Sequence, residues 1–156
     1  MTTIPVDRLV VRNALADLFT AELVGIGKPV QAVYPYQVAD IGTNSPVIIV
    51  TVSGSQRRNP EHSLRSASLV YLDVHVLVLY ANPKATPAWT EEDSEDRLDL
   101  IEKSVTQVVI DNNGDDQKKP WMLLDFAGRT EIEPVVIGGR EYRYEVIPLS
   151  AEMLAA

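Results

Sequence analysis

Residues 69–80 alternate so strictly that only an extended strand accommodates them. Val70, Leu72, Val74, Val76, Val78 and Tyr80 fall on one side of an extended chain and Asp73 and His75 on the other, because successive strand side chains point to opposite faces. One face is dry and the other mixed, so a second layer has to cover the dry face. Residues 47–52, Val47-Ile48-Ile49-Val50-Thr51-Val52, are β-branched almost throughout, which suits a central strand covered on much of both faces. A shorter strand is expected over residues 30–34, between Pro29 and Pro35.

Two segments carry the helical period instead. Val11, Ala14, Leu15, Leu18 and Phe19 share one face of a helix expected over residues 5–24, started by Thr3, Pro5 and Asp7 and ended by Gly25 and Gly27. Leu98, Ile101, Val105 and Val108 form the apolar stripe of a second helix. Thr90 and Asp93 form its capping box, with Asp in place of the usual Glu or Gln, and Asn112-Asn113-Gly114 stops it. Glu91, Glu92, Asp93, Glu95 and Asp96 crowd its first turns, where the helix dipole favours carboxylates.

Extended segments follow at residues 121–126 and 130–136. Gly138-Gly139 then sits between Val135-Val136-Ile137 and Arg140-Glu141-Tyr142, a hairpin signal because both turn residues reach positive φ without steric cost. Pro134 places its strand at an edge or a bulge. The expected fold is α+β: a two-layer sandwich of a mixed, mostly antiparallel sheet with two helices on one face, in the order α-β-β-β-α-β-β. Residues 1–156 read as a single domain. Residues 53–66 read as a long polar loop, of a kind uncommon in compact domains unless it has a task. The uncovered sheet face would hold Tyr71, Asp73, His75, Leu77 and Leu79.

Composition removes several functions. The chain has no cysteine and two histidines, so thiol nucleophiles, iron–sulfur clusters and cysteine zinc sites are out and imidazole chemistry is nearly so. With 14 basic against 22 acidic side chains its net charge is −8, which argues against a protein whose main task is gripping nucleic-acid phosphates. No basic-then-apolar signal and no membrane-length apolar run is present, so residence in a cytoplasm, or in an assembly built there, is expected.

Candidate chemistry is sparse. Asp73 and His75 lie on one strand face and form the one conceivable acid/base pair, but no nucleophile motif accompanies them, and Ser53-Gly54-Ser55 is not a nucleophile elbow. The acidic run 91–96 lacks the alternate ligand spacing of a calcium loop, and the Asp111–Asp116 stretch lacks its closing glutamate. No metal or other cofactor is therefore expected. Arg57, Arg58 and Arg65, with His62 among them, form the one concentrated positive segment. It reads either as a solvated loop or as an arm that orders on a negative neighbour, such as the acidic helix start Glu91, Glu92 and Asp93 of another copy. Charges segregated in this way favour heterologous, ring-forming contact. Nucleic-acid binding through the arginines is a third reading.

The first helix ending in Leu18-Phe19, the strand Val30-Gln31-Ala32-Val33-Tyr34 with Pro35, the valine-rich strand of residues 70–80, the acidic second helix with Arg97-Leu98-Asp99-Leu100-Ile101, and the late Gly138-Gly139-Arg140-Glu141-Tyr142 hairpin together resemble the tail terminator, or tail completion, proteins of long-tailed bacteriophages. The resemblance spans nearly the whole chain and rests on element order. It implies a small α+β domain forming a hexameric ring on the head-proximal end of the tail tube. Such a ring ends tube polymerisation and offers a head-joining surface. It also implies no catalytic residues, a virion-tail location after assembly in the host cytoplasm, and three partners: self, tail tube protein and head–tail connector. The arm with Arg57, Arg58 and Arg65 would match the family's long contact loop. DNA would pass through the ring without specific binding, which an acidic lumen favours. The alternatives are a head-side neck or connector component and, from another class, a small ligand-binding domain or enzyme using the Asp73/His75 face.

Overall fold

The alternating segment becomes the middle of a six-stranded sheet. The computed structural model describes residues 7–41, 44–57, 67–81, 88–114 and 119–154. In chain order the elements are α1 (Arg8–Leu23), β1 (Ala32–Tyr34), β2 (Val47–Arg57), β3 (Ala67–Leu79), α2 (Glu91–Asp111), β4 (Leu123–Phe126), β5 (Glu131–Ile137) and β6 (Arg140–Leu154). The expected α+β order is found, and the chain after α2 makes three strands. The sheet runs β1-β2-β3-β6-β4, with β5 also on β6, and every pairing is antiparallel except β1 with β2.

Both helices cover one face. Val70, Leu72, Val74, Val76 and Val78 of β3 are fully buried there, packed with Val11, Leu15 and Phe19 of α1, Leu98, Ile101 and Val105 of α2, and Ile147, Leu149 and Ala151 of β6. Trp121 closes this core, and its indole N–H donates to the Asn112 carbonyl at 3.0 Å. Trp89 lies at the edge of the core with its N–H on the Leu79 carbonyl at 2.8 Å, so both tryptophans serve as lids. A smaller cluster on the opposite face, Ile41, Val47, Ile49, Leu77 and Tyr142, is joined by Val38.

The helix ends follow the sequence signals. The Asp7 carboxylate accepts the Val10 N–H at 3.2 Å and caps α1, while Thr3 and Pro5 lie outside the described residues. The capping box of α2 is complete: Thr90 N–H donates to Asp93 Oδ2 at 2.7 Å and Asp93 N–H to Thr90 Oγ1 at 3.2 Å. Gly138 and Gly139 have φ of 59° and 77°, as the tight β5–β6 turn requires.

The expected loop over residues 53–66 is corrected in its first part. Gly54, Ser55, Gln56 and Arg57 pair with Tyr71, Val70, Leu69 and Ser68, after a bulge between Val52 and Gly54. The bulge absorbs one extra residue and restores the register, so a polar stretch that reads as loop continues the strand. Arg58 and Arg65 lie outside the described residues. β6 continues to Leu154, with Leu149 and Ala151 facing the core while Ser150 and Glu152 face away.

β4 and β5 lie end to end along one side of β6. Phe126 pairs with Leu149 and Glu131 with Val146, so the edge advances five residues while β6 advances three, and two residues bulge out between them. The Ala127 N–H still reaches the Pro148 carbonyl at 2.9 Å. Pro134 accordingly stands in an edge strand, as expected. No helix among the described residues is long and apolar enough to cross a membrane.

Replacing Thr90 with Ala removes one half of the capping box and is expected to cost about 1 kcal/mol in urea unfolding. Leu72→Ala, at a fully buried position, is expected to cost about 2–5 kcal/mol.

Candidate functional site

Among the described residues, the segment carrying Val38 and Ile41 covers one end of the sheet face turned away from the helices. Strand register sets its composition. Ile49, His75 and Val146 share one row, Thr51, Asp73 and Pro148 the next, and Gly54, Tyr71 and Ser150 the one beyond. Asp125, Glu131, Glu133 and Glu152 join this face from β4, β5 and β6. Among the described strand residues five carboxylates therefore stand on it, and its one arginine, Arg140, lies at the covered end.

At its centre is a small network. His75 Nε2 lies 2.8 Å from Thr51 Oγ1, His75 Nδ1 makes a short hydrogen bond with the Tyr144 hydroxyl, and the two rings stack with centroids 5.7 Å apart. Burial lowers the His75 pKa, partly offset by Asp73, so the imidazole is neutral at pH 7. Burial raises the Tyr144 pKa, and Asp73 and Glu133 raise it further, which keeps the phenol protonated.

Thr51 and His75 have the separation of a nucleophile and its base, but among the described residues no oxyanion-stabilising group accompanies them. Both ring nitrogens of His75 are engaged by neighbours. Thr51 sits mid-strand, where adjacent backbone N–H groups belong to the sheet ladder and are not aimed at a developing oxyanion. Asp73 neighbours the imidazole without replacing Tyr144 as the partner of Nδ1. The network lies at the centre of a polar, acidic surface. Among the described residues no group of three or more His, Asp or Glu side chains is placed to hold a metal ion.

The charged residues singled out in the sequence are distributed as follows. Arg57 ends β2 opposite Ser68, while α2 begins beside Leu79, to which Trp89 is bonded. Those positions are at opposite ends of β3, about 35 Å apart at the rise of a strand. Within one chain Arg57 and the acidic helix start thus stand at opposite ends of the sheet. Glu91 and Glu92 are exposed. The Asp93 carboxylate is committed to Thr90, and that hydrogen bonding lowers its pKa.

Sequence reasoning missed Thr51, Tyr144 and above all Glu145. Glu145 lies on the helix side of β6 between Ile132 and Val76 and is 2% exposed. Burial pushes its pKa up from 4.5 to about 7, aided by Glu102 and Asp99 on α2 and opposed by a hydrogen bond from Thr130. Beside it, Arg143 reaches Glu95 at 2.6 Å. The available signal was phase: a glutamate in step with Ile147 and Leu149 falls on the buried side.

The sequence matches no protein-family model and shows no significant similarity to a curated protein.

Because the folded-state pKa of Glu145 is raised, its carboxyl favours the fold fully below about pH 4.5, and this contribution is lost as pH rises towards 7. Relative to Glu145→Gln, the wild type is expected to lose up to roughly 3 kcal/mol across that window, read from urea unfolding at several pH values. Tyr144→Phe removes the short hydrogen bond on Nδ1 and is expected to shift the His75 titration seen by NMR, which in the wild type lies below the ordinary 6.5.

Proposed function

We propose that the protein is a structural assembly component that forms a ring on the head-proximal end of a phage tail tube, ends tube polymerisation and offers the surface for head joining. The observation that carries this reading is the open sheet face: it bears Asp73, Asp125, Glu131, Glu133 and Glu152, and His75 on it is tied to Thr51 and Tyr144. A surface of that charge turned to a ring lumen repels DNA phosphates and lets the duplex pass. The element order resembling tail terminator proteins points the same way. Partners in this reading are further copies of the chain, the tail tube protein and the connector, in a virion tail assembled in the host cytoplasm. Glu91 and Glu92, exposed at the start of α2, and the arginine end of β2 are offered to neighbours, since one chain keeps them apart.

A head-side connector component has the same surface requirements and is separated from the tail reading by which half-particle the protein binds. The Thr51–His75 contact favours a second class, a small hydrolase or ligand-binding domain. That class predicts that Thr51→Val abolishes activity while the fold persists.

Purified protein mixed with growing tail tubes is expected to stop elongation and leave a ring at one tube end under negative-stain microscopy. Substituting Arg57, Arg58 and Arg65 together by Gln is expected to weaken capping without changing the thermal unfolding midpoint. Uncapped tubes of unrestricted length with the wild type would overturn the reading.

A further inference from the structure

Two exposed apolar features stand at opposite lateral ends of the sheet. The first is a knob. Ile26 lies on the turn after α1 and is fully exposed, at 105%. The turn is fixed: Lys28 N–H bonds the Gly25 carbonyl at 3.1 Å, Val30 N–H bonds the Leu23 carbonyl at 3.1 Å, and Gly25 and Gly27 take φ of 141° and 75°. Val30 bridges Val24 on one side while Gln31 bonds Pro46 on the other, so the knob projects beyond β1. Ile26 belongs to neither core cluster. Exposed Lys28 stands beside it.

The second feature is a shelf on β5. Ile132, Pro134 and Val136 pair with Glu145, Arg143 and Glu141, on the side of the sheet that bears the helices. α2 packs over β3, β6 and β4. It leaves the β5 positions open, with Ile132 49% and Val136 69% exposed. Glu95 reaches Arg143, the residue paired with Pro134, and Asp99 and Glu102 follow Glu95 at four and seven residues along α2, on the flank nearest the shelf. The shelf is an apolar strip beside carboxylates, and the knob is an apolar residue beside an ammonium.

Ala32, Val47, Leu77, Tyr144 and Glu133 form one row across the sheet, which ends at β1, on the side of the knob, and at β5, which carries the shelf. One copy therefore offers the two features at opposite edges, as a head-to-tail contact requires.

We infer that Ile26 of one copy seats on Ile132, Pro134 and Val136 of the next, with Lys28 facing Asp99 and Glu102, in a heterologous contact between copies of this chain. A contact of this kind repeats and closes into a ring when its rotation permits. Strand addition at the same edge is opposed by Pro134 and by the paired glutamates Glu131 and Glu133, which are familiar guards of an edge strand. The inference deepens the ring reading and shares its premise of self-association, but it does not depend on a tail tube.

The absence of cysteine allows a direct test. Ile26→Cys and Val136→Cys lie at exposed sites outside the core, and folding is checked by thermal unfolding. The double variant under mild oxidation is expected to give a ladder of disulfide-linked multimers on non-reducing gels. An equimolar mixture of the two single variants is expected to give a mixed dimer and nothing larger. Ile26→Ser and Val136→Ser are each expected to weaken concentration-dependent association in sedimentation by tenfold or more. No ladder, equal self-linking by either single variant, or association unchanged by both serine variants would overturn the contact, and so would a wild type monomeric at every concentration. Tube capping retained in the serine variants would sink this contact alone, whereas normal self-association with no effect on tubes would sink the tail reading alone.

Discussion

The two-sided demand of β3 governs the rest of the molecule. Its helix-side residues, Val70 to Val78 in steps of two, are fully buried, and its other side carries Tyr71, Asp73 and His75. A slip of one residue against β2 or β6 would drive Asp73 and His75 into the helix layer and lift the valines to the open face. Burying an unpaired carboxylate costs several kcal/mol and exposing the valines forfeits their transfer free energy, so the register has one solution. The positions of Thr51 and Tyr144 follow from it, because cross-strand neighbours on a face are set by pairing. The His75 network is thus a by-product of the same register that builds the core.

How much of this was readable from the chain depended on whether one side of a segment was dry. β3, α1 and α2 announced themselves because Val74, Leu15 and Leu98 recur at the right period, and the Thr90–Asp93 box and the Gly138-Gly139 turn are local chemistry. The extension of β2 through Ser55 and Gln56 was hidden, since its reason lies in Ser68 and Leu69 across the hairpin and in a bulge that composition does not announce. Glu145 was hidden differently: alternation showed its side of the strand, but only the tertiary packing of α2 and β3 shows that this side is closed to water. The open-face network could not be read because His75 and Tyr144 are brought together by long-range pairing.

Charge is organised by the fold more sharply than by the sequence. The run from Glu91 to Asp96 looked like the main acidic feature, yet Asp93 is engaged in capping and Glu95 in pairing Arg143. The acidic character gathers instead on the open sheet face, from residues scattered between 73 and 152. Such a field depends on sheet geometry and is lost on unfolding. Glu145, on the opposite side, is the one buried carboxyl among the described residues, and burial favours its neutral form.

The pairing of β3 with β6 also has a temporal meaning. Val74 and Ile147 are neighbours in space, but most of the second half of the chain lies between them. A ribosome releases β3 well before β6, so the growing chain holds a half-finished sheet whose central strand has an open side until residues 140–154 emerge. Contacts of such long range make for slow folding. They also delay the finished shelf of β5, which exists only once β6 is in place behind it. Under the proposed contact between copies, the chain cannot offer both docking ends while it is still being made.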